Sequence, residues 1–241
     1  MRDTVYESPR NRIGVFVFDD TVARVFPDMI KRSVPGYGEI INTLPVLARM
    51  HAQPHTRLYD LGSSLGASTL AMRSGITQPG CRIVAVDNSI SMLRESMRLI
   101  ENNSNVPVDL VCADIRDVRI TDASLVVLNF TLQFINPNDD SRLELLRSIC
   151  RGMNPGGALV LSEKVHFQDS GDQAKVTDLH LAFKKFQGYS DLEIHQKRTA
   201  LENVLITDTI EEHLIRLRHA GFSYAVMWFQ CLNFCSFLAV K

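Results

Sequence analysis

Residues 57–67, RLYDLGSSLGA, constrain this chain more than any other segment. A short apolar run (Leu58, Tyr59, Leu61) carries Asp60 and meets Gly62, then Ser63-Ser64, then Gly66, and residues 67–72 read as the first turns of a helix. A strand that passes through a glycine turn into a helix is the opening unit of a nucleotide-binding α/β sheet. The ligand of such a unit sits at the carboxyl edge of strand one. Gly62 lets the backbone turn sharply and approach a ligand with no Cβ in the way. The competing reading is a glycine turn without a ligand, which α/β proteins also use.

The spacing Asp60-x-Gly62-x-Ser64-x-Gly66 departs from the dinucleotide fingerprint. Two turn glycines four apart, with an acid before the first, fit an S-adenosylmethionine loop better than an NAD loop. Downstream, strands and helices alternate. Residues 82–86 (RIVAV) are a strand ending in Asp87-Asn88, and Ser89 can cap a helix over 90–101 with Met92, Leu93, Met97 and Ile100 at helical spacing. Val108–Cys112 is a third strand, and 125–130 (LVVLNF) is apolar enough to be a central parallel strand buried on both faces. A helix over 139–153 stops at Asn154-Pro155-Gly156-Gly157, and 158–162 form strand five. A helix over 207–220, capped by Thr209 or Asp208, precedes two strands, 224–229 and Phe234–Val240, which are expected to pair antiparallel. The fold class is therefore α/β: a Rossmann-like, seven-stranded methyltransferase sheet of parallel strands with one antiparallel terminal strand.

The 241 residues and 45% apolar content fit one domain with additions to its core. Residues 1–50 form an N-terminal helical cap with a helix over 40–50, 51–165 the cofactor-binding core, 166–206 a helical insertion of one or two amphipathic helices, and 207–241 a C-terminal helix and strand pair. An insertion of 41 residues is long for a plain connection and is expected to serve as a lid or a dimer element. The balance of 26 basic and 27 acidic residues gives no basic excess of the kind that binds nucleic acid directly. No signal peptide and no membrane-length apolar run is apparent. Cys81, Cys112, Cys150, Cys231 and Cys235 are scattered and odd in number, as expected of reduced thiols in a cytoplasmic protein. Cys231 and Cys235 lack a second ligand pair, so no metal is expected.

Each of the first four strands presents polar residues at its carboxyl end. Gly62, Ser63 and Ser64 offer backbone amides near a helix N-terminus. Asp87, 25 positions after Gly62, can accept both ribose hydroxyls, or else serve as a helix cap. Asn88 can line the adenine edge. Asp114 can accept an exocyclic amine while Ile115 covers the ring. Asn129, inside an apolar run, needs a partner in the fold or in a ligand. No side chain marks itself as a general base, so the catalytic residue is left unassigned; His180 and His195 lie in the insertion, where structural roles are expected.

Six segments together resemble one family: VFPDMIKRSVPGY at 25–37, YDLGSSLGAST at 59–69, DNS at 87–89, VVLNFTLQF at 126–134, RGMNPGGALVLSEK at 151–164 and GYSDLEIHQKRTALENV at 188–204. The chain resembles the carboxy-S-adenosyl-L-methionine synthases over nearly its whole length. The resemblance implies a methyltransferase-like fold that does not transfer a methyl group. It implies that S-adenosyl-L-methionine and prephenate give carboxy-S-adenosyl-L-methionine, phenylpyruvate and water, with prephenate supplying carbon dioxide to the deprotonated sulfonium methyl. It implies a cytoplasmic homodimer that hands its product to a separate tRNA carboxymethyltransferase acting at the wobble uridine. Tyr37, Gly62, Ser63, Ser64, Asp87, Asn88, Asp114, Ile115 and Asn129 would hold the nucleoside and amino-acid parts. Arg198 would hold the added carboxylate, a task that suits a two-pronged guanidinium. The family usually has Cys where this chain has Ser63. Two other readings share the glycine loop: an S-adenosylmethionine-dependent methyltransferase acting on a small molecule or RNA, and a cofactor-binding partner protein without chemistry of its own.

Overall fold

The computed structural model describes residues 1–100, 106–137 and 140–241. Seven strands form one sheet in the order β3-β2-β1-β4-β5-β7-β6. They are β1 (Arg57–Leu61), β2 (Arg82–Asp87), β3 (Val108–Cys112), β4 (Ala123–Asn129), β5 (Met153–Lys164), β6 (Tyr224–Cys231) and β7 (Phe234–Val240). The pairings from β3 through β5 are parallel, and β7 runs antiparallel to both β5 and β6. The expected α/β sheet with an antiparallel terminal strand is thus the observed one. Strand order reverses between β1 and β4, and a crevice opens beyond the carboxyl ends at such a switch point.

Helices cover both faces. Those of the core are α3 (Ala67–Gly75), α4 (Ile90–Ile100), α5 (Ser141–Gly152) and α8 (Ile210–His219). The expected ends of α4 at Glu101 and of α5 at Asp139 lie outside the described residues. Thr209, rather than Asp208, caps α8 in a capping box with Glu212. Strand β4 stops at Asn129 because Phe130 takes a left-handed φ of 60°. Strand β5 starts earlier than expected, at Met153, which pairs with Ala123 before a register shift. The Pro155-Gly156 step is absorbed there because Pro needs no amide partner and Gly156 adopts φ 74°.

The N-terminal region holds two helices, α1 (Asp20–Ser33) and α2 (Tyr37–His51), with Pro27 and Pro45 inside them. An internal proline costs a hydrogen bond. Burial of Val22, Val25 and Met29 in α1 and of Ile40, Leu44 and Leu47 in α2 outweighs it. The insertion is two helices, α6 (Ser170–Phe186) and α7 (Asp191–Leu201), without the strongly one-sided apolar face of an amphipathic helix. The first residues of the chain and the insertion are stitched together. The Gln196 amide donates to the carbonyls of Tyr6 and Ser8, the Phe16 amide donates to the Ala200 carbonyl, and the Tyr189 hydroxyl donates to Asp3. Tyr6, Phe16, Val25 and Ala200 share an apolar cluster with Leu65 of the glycine loop and Met92 of α4. This cap therefore rests on the carboxyl edge of β1 and β2.

Arg142 ties the far side together. Its guanidinium is 2% exposed and donates to the carbonyls of Ile135 (2.9 Å) and Ile206 (2.8 Å) and to Asp208 Oδ2 (2.5 Å). Arg216 lies 2.8 Å from the same carboxylate oxygen. Burial works against the Asp208 charge, yet Arg216 and Arg142 hold its carboxyl below the ordinary range. Replacing Arg142 with Leu leaves buried acceptors without donors. The expected loss is about 3–5 kcal/mol in urea unfolding, and a loss under about 1 kcal/mol contradicts this account.

Candidate functional site

Three strand ends converge at the crevice. After β1, Gly62, Ser64 and Gly66 all take positive φ (83°, 49° and 84°). Gly62 is forced: a Cβ there would collide with the Thr131 side chain in the turn after β4. Ser64 and Phe130 are non-glycine residues in left-handed backbone on the two facing loops. Such strain concentrates at ligand sites because the surrounding structure must impose it.

The amides of this loop are not directed as the sequence reading expects. The Gly62 and Ser63 amides donate to the Val86 carbonyl (2.8 and 2.9 Å), and the Ser64 amide donates to Asp87 Oδ2 (2.8 Å). The β1–β2 pairing simply continues past Leu61 and consumes them. These residues therefore shape the crevice floor, and their amides are engaged within the protein. Asp87 Oδ1 meanwhile accepts the Ser89 amide (2.8 Å), and Ser89 caps the start of α4. Both earlier readings of Asp87 are compatible with this. An ionised carboxylate has about four acceptor positions, so two amides leave room for two hydroxyls. Burial raises the Asp87 pKa against the pull of those amides.

Asn129 stands at the end of β4. Its side-chain amide donates to Ser68 Oγ (3.1 Å), while its Oδ1 is buried with no donor. Asp60 is fully buried; its Oδ2 accepts the Thr69 hydroxyl (2.6 Å), and its Oδ1 also lacks a donor. Burial pushes the Asp60 carboxyl up to about 7. Ser63 Oγ is a third buried polar atom without a partner. Unmet acceptors beside strained loops fit a polar, partly cationic ligand that brings donors of its own. Asp60 was visible in the sequence only as the acid before the loop; its depth at the end of a strand is what makes it a site residue.

Tyr37 opens α2, and its ring lies 6.3 Å from that of Phe130. Burial, and secondarily the Asp60 charge, raise its pKa, so it stays a neutral hydroxyl. Asn88 is exposed at the rim, and Ile115 is 8% exposed in the main core. Asp114 receives Arg116 in a two-pronged pair (3.0 and 2.6 Å) that holds its carboxyl below the ordinary range. Arg198 stands apart from this group. It is exposed on α7 and makes no hydrogen bond or ion pair with another predicted site residue among the described residues; its charge falls on Lys164 and Lys184. His180 is a structural residue as expected: Nε2 pairs with the Ser33 carbonyl (2.8 Å), and burial drives its pKa down to about 3. The five thiols are free: Cys81, Cys150 and Cys235 are buried, Cys231 is partly exposed and Cys112 is exposed. Among the described residues there is no metal-ligand cluster and no helix long and apolar enough to cross a membrane.

A methyltransferase-domain family matches residues 59–161. Curated carboxy-S-adenosyl-L-methionine synthases align end to end. That of Klebsiella pneumoniae (strain 342) is 52% identical over 241 residues, covering 100% of this chain and 97% of the relative. That of Aeromonas hydrophila is 54% identical, covering 100% and 96%. Among solved structures, human N-acetylserotonin methyltransferase in complex with SAM has a TM-score of 0.60 at 16% identity, covering 92% of this chain and 55% of that one. That likeness bears on the fold.

The orphaned Ser63 hydroxyl yields a direct test. A thiol tolerates a buried site without a partner better than a hydroxyl does. Ser63→Cys is expected to raise stability of the ligand-free protein by about 1 kcal/mol, read as a higher Tm. A lower Tm would show that the hydroxyl is satisfied in solution.

Proposed function

We propose that this chain, which belongs to the carboxy-S-adenosyl-L-methionine synthase family, makes its product from S-adenosyl-L-methionine and prephenate. The family is one of enzymes, and the fold is that of S-adenosylmethionine-dependent methyltransferases. The observation that carries the reading is identity of 52% over the entire chain with synthases. The crevice at the β1–β4 switch point is compatible with it.

In this reading the adenosyl compound is a substrate that is remodelled. Asp87 takes the ribose hydroxyls with its remaining lone pairs. Asn88, Asp114 and Ile115 border the adenine. Tyr37 and Asn129 hold the methionyl part over the floor shaped by the Gly62–Ser63–Ser64 turn, and the unmet acceptors of Asp60 and Asn129 suit its ammonium group. Arg198 grips the added carboxylate. The overall balance is one carboxyl gained by the sulfonium methyl, with prephenate leaving as phenylpyruvate and water. We place the enzyme in the cytoplasm as a homodimer that passes its product to a tRNA carboxymethyltransferase, with no direct nucleic-acid contact. The near-zero net charge of −1 supports that division of labour.

Purified protein mixed with S-adenosylmethionine is expected to yield an adenosyl compound heavier by one carboxyl group, about 44 mass units (the mass of the added CO2), only when prephenate is present. Methyl transfer to RNA with no such gain would overturn the reading. Arg198→Ala is expected to weaken binding of carboxy-S-adenosylmethionine about tenfold or more, while S-adenosylmethionine binding changes little. Equal losses for the two ligands would refute the role of Arg198.

A further inference from the structure

The end of β5 carries a cluster of cations that nothing in the adenosyl site uses. Lys164 is the last residue of β5, two positions beyond Ser162, the register partner of Asn129. It therefore lies on the same sheet face as Asn129 and roughly 8 Å away, given ~3.3 Å per residue and ~4.8 Å between strands. Across the sheet it pairs with Phe234. The His180 ring of α6 packs on Phe234 at 5.0 Å. Lys184 follows His180 by four residues and so shares its face of α6. From α7, Lys197 reaches Ser33 Oγ at 3.0 Å, on the residue whose carbonyl holds His180. Phe234 also meets Phe130 at 5.9 Å, and Phe130 meets Tyr37. The cluster is thus continuous with the adenosyl crevice through one aromatic wall.

The members differ in how they are compensated. Lys197 lies 3.9 Å from Asp3. Lys164 and Lys184 are only partly exposed, yet among the described residues their ammonium groups have no acid and no hydrogen-bond acceptor. Burial, and then the charges of Lys197, Lys164 and Arg198, bring the Lys184 pKa down to about 7; burial and Arg198 lower that of Lys164. A fold does not gather like charges out of water without a counter-charge unless something else supplies one.

We propose that Lys164 and Lys184, bordered by Arg198, form a second anion site beside the adenosyl crevice that takes the carboxylates of a dicarboxylate co-substrate. Two ammonium groups on different elements suit two carboxylates on one rigid molecule, and they leave the sulfonium side of the crevice open. The site supplies what Arg198 alone does not: a place for the carboxyl donor before transfer. This rests on the reading of the crevice as an adenosyl site, and on prephenate as the dianionic partner.

The test is calorimetric titration of prephenate into protein saturated with S-adenosylhomocysteine, which has no methyl group to react. The intact protein is expected to bind prephenate. Lys164→Met and Lys184→Met are each expected to weaken that binding tenfold or more. Their affinity for S-adenosylhomocysteine should stay within threefold, and their Tm should hold or rise, because an unpaired cation has been removed. Lys184→Arg should recover part of the loss. Lys185→Gln, whose lysine is exposed and paired with Asp191 at 2.6 Å, should leave prephenate binding unchanged. Unchanged prephenate affinity in both methionine variants overturns the anion site, even if the enzyme makes its product. Prephenate binding that needs both lysines, without formation of the carboxylated product, supports the site and overturns the reaction instead.

Discussion

The Asp87 carboxylate is the joint on which the crevice depends. One oxygen holds the Ser64 amide of the glycine loop, and the other holds the Ser89 amide at the start of α4. Without it, the loop after β1 would be held to β2 only by the Gly62 and Ser63 amides on the Val86 carbonyl, and nothing would tie Ser64 to the start of α4. With it, Ser64 is kept in left-handed backbone, Gly62 is pressed against Thr131, and the loops of three strands share one frame. Burial works against that charge, so the joint is one that further donors strengthen. Ribose hydroxyls would be such donors. A ligand held there tightens the same carboxylate that orders its own floor.

A second buried carboxylate does comparable work across the crevice. Glu163 accepts the Leu132 and Gln133 amides (2.8 and 3.0 Å) in the turn that carries Thr131. Burial pushes its carboxyl up to about 8. The sheet thus fixes both loops through acids at strand ends, and the β5 side of the crevice is left to the cations of α6 and α7. The two sides are chemically unlike: acceptors toward β1 and β2, cations toward β5. A positively charged substrate and an anionic one can lie side by side without exchanging places.

Much of this was legible in the sequence. Short apolar runs and the turn residues that bound them placed all seven strands, and the acid-glycine spacing at Asp60 and Gly62 located the crevice. Helix α1 was not legible, because Pro27 argues against a helix and only tertiary burial of Val25 and Met29 overrides it. The direction of the loop amides was not legible either, because their acceptor, the Val86 carbonyl, belongs to a strand more than 20 residues away. In the sequence, Lys164 and Lys184 carry no role of their own. Their lack of counter-charges emerges only when β5 and α6 are brought together. Asp60 was seen as part of a motif, while its unpartnered oxygen depends on depth in the sheet.

The stitching of residues 2–32 to residues 187–200 has a consequence for how the molecule is made. Residues near position 3 have hydrogen-bond partners some 186 positions later in the chain, as with Asp3 and Tyr189. The sheet from β1 to β5 can pair before those partners exist, because its strands lie between. The cap can therefore close over β1 to β5 only once α7 has been made, with β6 and β7 still to follow, and until then Phe16, Val25 and Met29 lack Ala200 as a partner in their cluster. Fluorescent or mass labels that report burial of the N-terminal segment would, on this topology, lag behind those in the sheet. A chain that ended between β5 and α6 would carry the strand-end residues of the crevice floor yet lack β6, β7 and the partners of residues 2–32 at 187–200.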